Sequence, residues 1–351
     1  MYALMFDKEL LEDVFGDGKK RAEYQLSMLC AKEVEAVYSP LIASLYARDR
    51  LTSLGRAQAS SILQTLKQEV VDSVSGVAWL DSDAKQLLVH QLESVTVRLW
   101  PPSMFDKANA VEELYGLCPE NDDSFVVFWI KARHCLRAIF MKRHRYYAEN
   151  LLPSWTPLLT DYVSSLNTLD IAMAALTAPL YYNRGTLGMI YGGLGFLLAV
   201  ALMGVLREPP QYMHPNGSLS KSGSWISEQS MEALKQKQRC SDQAQSAKSF
   251  RGIEIGAMEV AYYAFHDRVI KSFQSNLTSE LTDEKVFFMT FCRNVCAKKQ
   301  VGRILWRVAG CNELVANSRG FSDAFGCSEQ SPMKAIDKCT FFENDHRRIW
   351  T

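Results

Sequence analysis

Apolar side chains recur every three or four residues through much of the first 150 positions, the spacing that gathers them on one face of a helix. In "RAQASSILQTLKQEVVDSVSGVAWL", Ile62, Leu63, Leu66, Val70, Val71 and Val74 make such a face and Gly76 closes it. The next segment, "SDAKQLLVHQLESVTVRLW", opens on Ser82 as a cap, carries Leu87, Leu88, Leu92 and Val95, and stops before Pro101-Pro102. The two predict a helical pair. "SFVVFWIKARHCLRAIFMKRHRYYAENLL" predicts a third long helix, and its basic residues Lys131, Arg133, Arg137, Lys142, Arg143 and Arg145 read as a solvated face ahead of a binding patch.

The texture changes at "ENLLPSWTP", where two prolines mark a boundary around 150–157. From Tyr162 to Tyr182, short apolar runs mix with Ser, Thr and Asn and predict strands or extended segments. Then comes "YGGLGFLLAVALMGVL", Tyr191 to Leu206, and a loop rich in Pro, Gly and Ser. Fifteen residues from Gly192 to Leu206 rise about 22 Å as a helix, short of the roughly 30 Å hydrocarbon core, so a buried helix is expected and no membrane span. There is no internal repeat and no coiled-coil pattern.

At 351 residues and 48% hydrophobic, the chain has ample material for a packed core. Thirty-nine basic residues balance thirty-nine acidic ones, which leaves no net field for a nucleic-acid backbone and argues against a nucleic-acid partner. The opening "MYALMFDKELLEDVFGDG" is acidic and does not read as a secretory signal. Nine cysteines, six of them from Cys240 onward, and the sequons at Asn216 and Asn276 favour an oxidising, extracellular setting with disulfides and glycosylation.

Of the six histidines, none stands three or four residues from another, so no helix face presents two imidazoles to a metal. His266-Asp267 reads as a surface pair, because neighbouring side chains on a helix do not face each other. Cys292 and Cys296 share a helix face, where disulfide pairing or burial outweighs metal binding or reactivity. No nucleophile elbow or phosphate loop is present, and "GLGFLL" lacks the third glycine of a dinucleotide site.

Three blocks resemble the neprilysin and endothelin-converting-enzyme family of zinc metallopeptidases: "NTLDIAMAALTAPLYY" running into "YGGLG", then "AMEVAYYAF", then "NELVANSRGFSDAFGCSEQSPMKAIDKCTFF". With "GVAWLDSDAKQ", the resemblance extends from about Glu23 to Phe342. It implies a mainly α (α+β) fold, a largely helical zincin scaffold with a small sheet beside the active-site helix. It also implies residues 1–150 as a helical domain with linker helices, 151–342 as a metallopeptidase-like domain, and 343–351 as a tail extension.

The same resemblance implies that the chemistry has gone. The family's His-Glu-x-x-His falls on Val200, Ala201, Leu202, Met203 and Gly204, its third zinc ligand on Phe250, and its second acidic position on Glu254. The substrate-holding asparagine falls on Leu159, leaving Tyr162 as the one retained substrate-binding residue. The transition-state histidine and the substrate-binding arginine fall about at Ile304 and Gly310. Without a metal, buried histidine or glutamate would be unpaired polar groups, and apolar replacements relieve that cost. No cofactor is therefore expected, although the family uses zinc.

By resemblance Cys240 pairs with Cys339, while Cys30, Cys296 and Cys327 look like family cysteines whose partners lie in an N-terminal region outside this chain. Cys118, Cys135, Cys292 and Cys311 have no counterpart in the family pattern. The leading reading is an inactive, extracellular peptide- or protein-binding pseudopeptidase, or the ectodomain of a membrane-anchored protein. The alternatives are an active zinc metalloendopeptidase recruiting Glu254, His214 and His266, and a truncated product without function.

Overall fold

The computed structural model describes residues 19–50, 53–99, 108–116, 118, 124–142, 159–206, 218–219, 226–239, 251–269, 281–295, 311–336 and 338–342. The described residues are mainly helical with one three-stranded sheet. The chain forms two compact units: Met1–Leu51 with Trp100–Thr156, and Thr52–Leu99 with Pro157–Thr351.

In the first unit, α1 (Lys19–Arg50) bends at Tyr38, whose φ of −112° and ψ of 19° leave the helical region. With α4 (Ala108–Tyr115) and α5 (Phe125–Lys142) it surrounds a small core of Val37, Trp129 and Ala132, with Tyr38 packed against it. The Tyr115 hydroxyl donates to the Val37 carbonyl at 3.0 Å, and Arg133 pairs with Glu33 at 2.9 Å. A disulfide joins Cys118 to Cys135 on α5, with the Cα atoms 5.5 Å apart.

In the second unit, α2 (Ser53–Gly76) buries the expected face of Ile62, Leu63, Leu66, Val70, Val71 and Val74. Its partner α3 (Ser82–Glu93) ends earlier than the sequence pattern predicts, and Thr96–Leu99 form strand β1. The β-branched Thr96 and Val97 favour the extended form, and pairing with β3 (Thr168–Ile171) fixes it. The cap of α3 is Asp81 and not Ser82: its Oδ1 accepts the Ala84 amide at 2.7 Å.

The sheet order is β1-β3-β2, with β1 parallel and β2 (Thr160–Val163) antiparallel to β3. Arg98 stands opposite Asp170 in this register, and its guanidinium donates to both carboxylate oxygens at 2.6 and 2.7 Å. Asp170 is only 2% exposed, so the pair neutralises a charge inside the fold.

The long apolar stretch is one helical run, α6 (Leu187–Ile190), a π-turn over Tyr191–Gly195, α7 (Phe196–Leu202), and a 3₁₀ end over Met203–Leu206. At 20 residues it is longer than the sequence pattern predicts and matches a bilayer core in length, about 30 Å. It is nonetheless the expected buried helix, with 94% of its apolar window inside the protein. The glycines explain the fit. A Cβ on Gly188 would lie 2.3 Å from the Asp283 carbonyl oxygen, and one on Gly192 would lie 2.3 Å from that of Phe287. Both belong to α10 (Asp283–Val295), so the two backbones touch where no side chain intervenes.

Candidate functional site

All five residues that the resemblance aligns with His-Glu-x-x-His are buried. Val200, Ala201 and Leu202 complete α7, and Met203 and Gly204 open its 3₁₀ end. Met203 reaches α9 (Arg251–Tyr263), where a Cβ on Gly256 would meet its Cε at 2.7 Å. Gly204 faces Tyr162 on β2, and a Cβ there would lie 2.9 Å from the Tyr162 Cβ and 3.2 Å from its Cδ1. The space a side chain at 204 would need is occupied by the tyrosine ring.

Tyr162 is itself held from behind. Its hydroxyl donates to Asn167 Oδ1 at 2.7 Å and accepts from Gln91 Nε2 at 2.9 Å. Burial raises its pKa and the Gln91 hydrogen bond opposes that rise. Asn167 adopts a left-handed conformation (φ 48°), from which its Nδ2 donates to the Gln91 carbonyl at 3.2 Å and to Ser94 Oγ at 3.0 Å. This network ties β2, the turn before β3 and the end of α3 into one polar knot. Sequence reasoning gave no role to Gln91 or Asn167, although Asn167 opens the block "NTLDIAMAALTAPLYY"; they lie 71 and 5 residues from Tyr162.

The five positions offer one thioether and no imidazole, thiolate or carboxylate, so they do not fit a zinc ion. Among the described residues, no group of three or more His, Cys, Asp and Glu side chains is placed to hold a metal. Glu254 is half-buried in the first turn of α9. His266 lies on the π-turn Ala264–Val269 that continues α9, twelve residues and about 18 Å of helix rise beyond Glu254, too far to share an ion with it. His214, Phe250, Ile304, Gly310, Asn216, Asn276, Cys240 and Cys296 lie outside the described residues, as does the tail 343–351.

His266 and Asp267 do face each other, contrary to the sequence expectation: Nδ1 and Oδ1 are 3.0 Å apart. The wider π-turn narrows the angle between successive side chains. The imidazole also stacks on Tyr262, ring centres 5.5 Å apart. Burial, then the nearby carboxylates Glu284 and Asp323, push the Tyr262 phenol far above its ordinary pKa.

The cysteines divide cleanly. Cys118 pairs with Cys135 and Cys292 with Cys311, the four without a family counterpart. Cys30 is free and exposed, and Cys327 is free and half-buried. Cys339 is disulfide-bonded. Nearby, the Cys339 amide donates to Asn317 Oδ1 at 2.7 Å, and Glu259 on α9 accepts the Phe341 and Phe342 amides at 3.1 and 2.9 Å. The C-terminal block is thereby tied to the helix that packs on α7.

No family model matches the chain. Individual relatives do. The chain is 19% identical to Neprilysin-1 of Trittame loki over 90% of its own length and 48% of the relative's. It is 22% identical to endothelin-converting enzyme 1 of Bos taurus over 95% and 47%. With endothelin-converting enzyme-like 1 of Mus musculus the figures are 21%, 95% and 45%. The chain thus spans about half the length of the curated relatives it matches. Solved structures share the fold at low identity. Mycobacterium tuberculosis zinc metalloprotease Zmp1 in complex with an inhibitor gives a TM-score of 0.64 at 14% identity, covering 93% of this chain and 51% of that one. A Haemonchus galactose-containing glycoprotein complex gives 0.67 at 16% identity, covering 92% and 56%.

Proposed function

We infer that this chain, a divergent homologue of the neprilysin and endothelin-converting-enzyme metallopeptidases, keeps their scaffold without their hydrolytic chemistry and works by binding a peptide or protein. The observation that carries this reading is the contact of Gly204 with Tyr162: the position that the resemblance gives to the second zinc-binding histidine has no room for a side chain. Val200 and Ala201 put core-type groups where the first histidine and the glutamate would stand. A bound zinc and oxyanion donors supply several kcal/mol of transition-state stabilisation to amide hydrolysis, and aliphatic groups supply none.

For binding, β2 is an edge strand of the described sheet, the kind of edge to which an extended peptide adds as a further strand. The Tyr162 hydroxyl is committed to Asn167 and Gln91, so recognition rests on backbone pairing more than on that phenol. The disulfides support an oxidising, extracellular location for the protein or for the ectodomain it belongs to. Glycosylation at Asn216 and Asn276 and the Cys240–Cys339 bridge belong to the same proposal.

The test is elemental analysis for zinc after dialysis against metal-free buffer, paired with digestion of an unstructured peptide mixture. Less than about a tenth of an equivalent of zinc and intact peptides are expected. One tightly held equivalent together with chelator-sensitive cleavage would overturn the reading.

A further inference from the structure

We propose that Arg319 and Lys338 form a binding site for one oxyanion group, a carboxylate or the sulfate or phosphate of a monoester. Hydrogen bonds fold the chain around Ala335 and Cys339 onto the turn that follows the short helix Cys311–Val315. The Ala335 amide donates to the Ala316 carbonyl at 3.0 Å, and the Cys339 amide donates to Asn317 Oδ1 at 2.7 Å. Lys338 Nζ reaches the same Ala316 carbonyl at 3.5 Å. Arg319 opens the next helix, Arg319–Phe325, three residues beyond Ala316.

The cations gathered at this turn are unequally matched. Lys334 is closely paired with Glu329. Among the described residues, no carboxylate forms an ion pair with Arg319 or with Lys338. Arg319 is exposed, whereas Lys338 is half-buried and makes only the long bond to the Ala316 carbonyl. Burial first, then Lys334 and Arg319, hold the Lys338 ammonium below its ordinary pKa, while Asp323 and Glu329 oppose them. A half-desolvated cation beside a second cation is a cost that an anion shared between the two removes.

The surroundings choose the kind of anion. A guanidinium presents parallel donors that match two oxygens of a carboxylate, sulfate or phosphate, and an ammonium adds a point charge. Two available cations suit one such group. A repeating polyanion would carry its further charges past Asp323 and Glu329, the carboxylates that act on the same ammonium. Glu329 also sets the strength of the site: its side chain is 86% exposed, and removing its charge would release Lys334 as a third cation.

The test is carbon-13 NMR of the full chain after reductive methylation of its lysines, which keeps their charge. The Lys338 resonance is the one absent from Lys338→Arg. Inorganic sulfate, inorganic phosphate and acetate, each exchanged for chloride at constant ionic strength, probe the site, and comparing acetate with the other two separates a planar carboxylate from a tetrahedral group. At least one of the three should shift the Lys338 resonance saturably. Arg319→Gln should weaken that binding about tenfold without changing the circular dichroism, and Glu329→Gln should tighten it severalfold. The proposal is overturned if none of the three shifts Lys338 beyond what chloride does. It is equally overturned by an affinity that Arg319→Gln or Glu329→Gln leaves unchanged.

Discussion

Asp81 and Ser230 hydrogen-bond in both directions: the Asp81 amide donates to Ser230 Oγ at 2.9 Å, and the Ser230 hydroxyl donates to Asp81 Oδ2 at 2.6 Å. Ser227 donates to the same carboxylate oxygen at 2.5 Å while its Oγ accepts the Ser230 amide at 3.2 Å. Since Asp81 also caps α3, one carboxylate closes the starts of two helices, α3 and α8 (Glu228–Arg239).

That closure is acid-labile. The hydroxyls of Ser227 and Ser230, then the Ala84 amide, hold the Asp81 pKa down to about 2 from an ordinary 3.8. A folded value below the unfolded one means the stabilisation is complete above pH 3.8 and fades as pH falls from there through about 2. Asp81→Ala, which removes the cap of α3, should cost about 1 kcal/mol at neutral pH and flatten the acid limb. Urea unfolding across that pH range reads both effects.

The Gly204 contact predicts a non-additive pair. Gly204→Ala should destabilise the fold by about 1–3 kcal/mol, because the new methyl meets the Tyr162 ring inside a packed core. In a Tyr162→Gly background, which removes both the Cβ at 2.9 Å and the ring atoms beyond it, the same change should cost much less. Equal costs in the two backgrounds, measured by thermal unfolding, would mean the ring is not the obstacle.

Arg98→Met should cost about 3–5 kcal/mol, since it leaves the Asp170 carboxylate buried without its cation. Arg98→Met with Asp170→Leu should recover most of that loss. Denaturant midpoints of the two variants decide whether the ion pair stabilises β1 against β3 or only avoids an orphaned charge.

Replacing Cys118 and Cys135 together by Ala should lower stability by about 3 kcal/mol, the loss expected for a loop spanning 17 positions. In the native protein without reductant, alkylation followed by mass mapping should modify Cys30 first. Cys292 and Cys311 should stay unmodified until the disulfides are reduced.

Periodicity carried α2 well, because a face of six aliphatic residues leaves one way to bury itself. It misread "TVRL" as helix, since Val95 and Leu99 suit either period and the deciding contact, Arg98 with Asp170, lies 72 residues away. Ser82 reads as the cap from sequence, and Asp81 takes that place in the fold, where its carboxylate also meets Ser227, 146 residues on. That Val200 to Gly204 carry no zinc-ligating residue types was legible in the sequence. What fills the space, the Tyr162 ring, was not, because a glycine declares only that something stands close. The pairing of Cys118 with Cys135 was equally hidden: spacing alone does not choose among nine cysteines.

The contact between Gly204 and Tyr162 works as a ratchet on descent. A histidine introduced at 204 would be born into a clash with a ring that Asn167 and Gln91 hold in place, so its first effect would be a weaker fold and not a metal ligand. The side chain at 162 would have to yield first, and that change also starts as a loss, because it unpicks the knot between the sheet and α3. Each of the two changes is uphill when made on its own. Stability alone is enough to hold a glycine at 204 for as long as that ring stays in place.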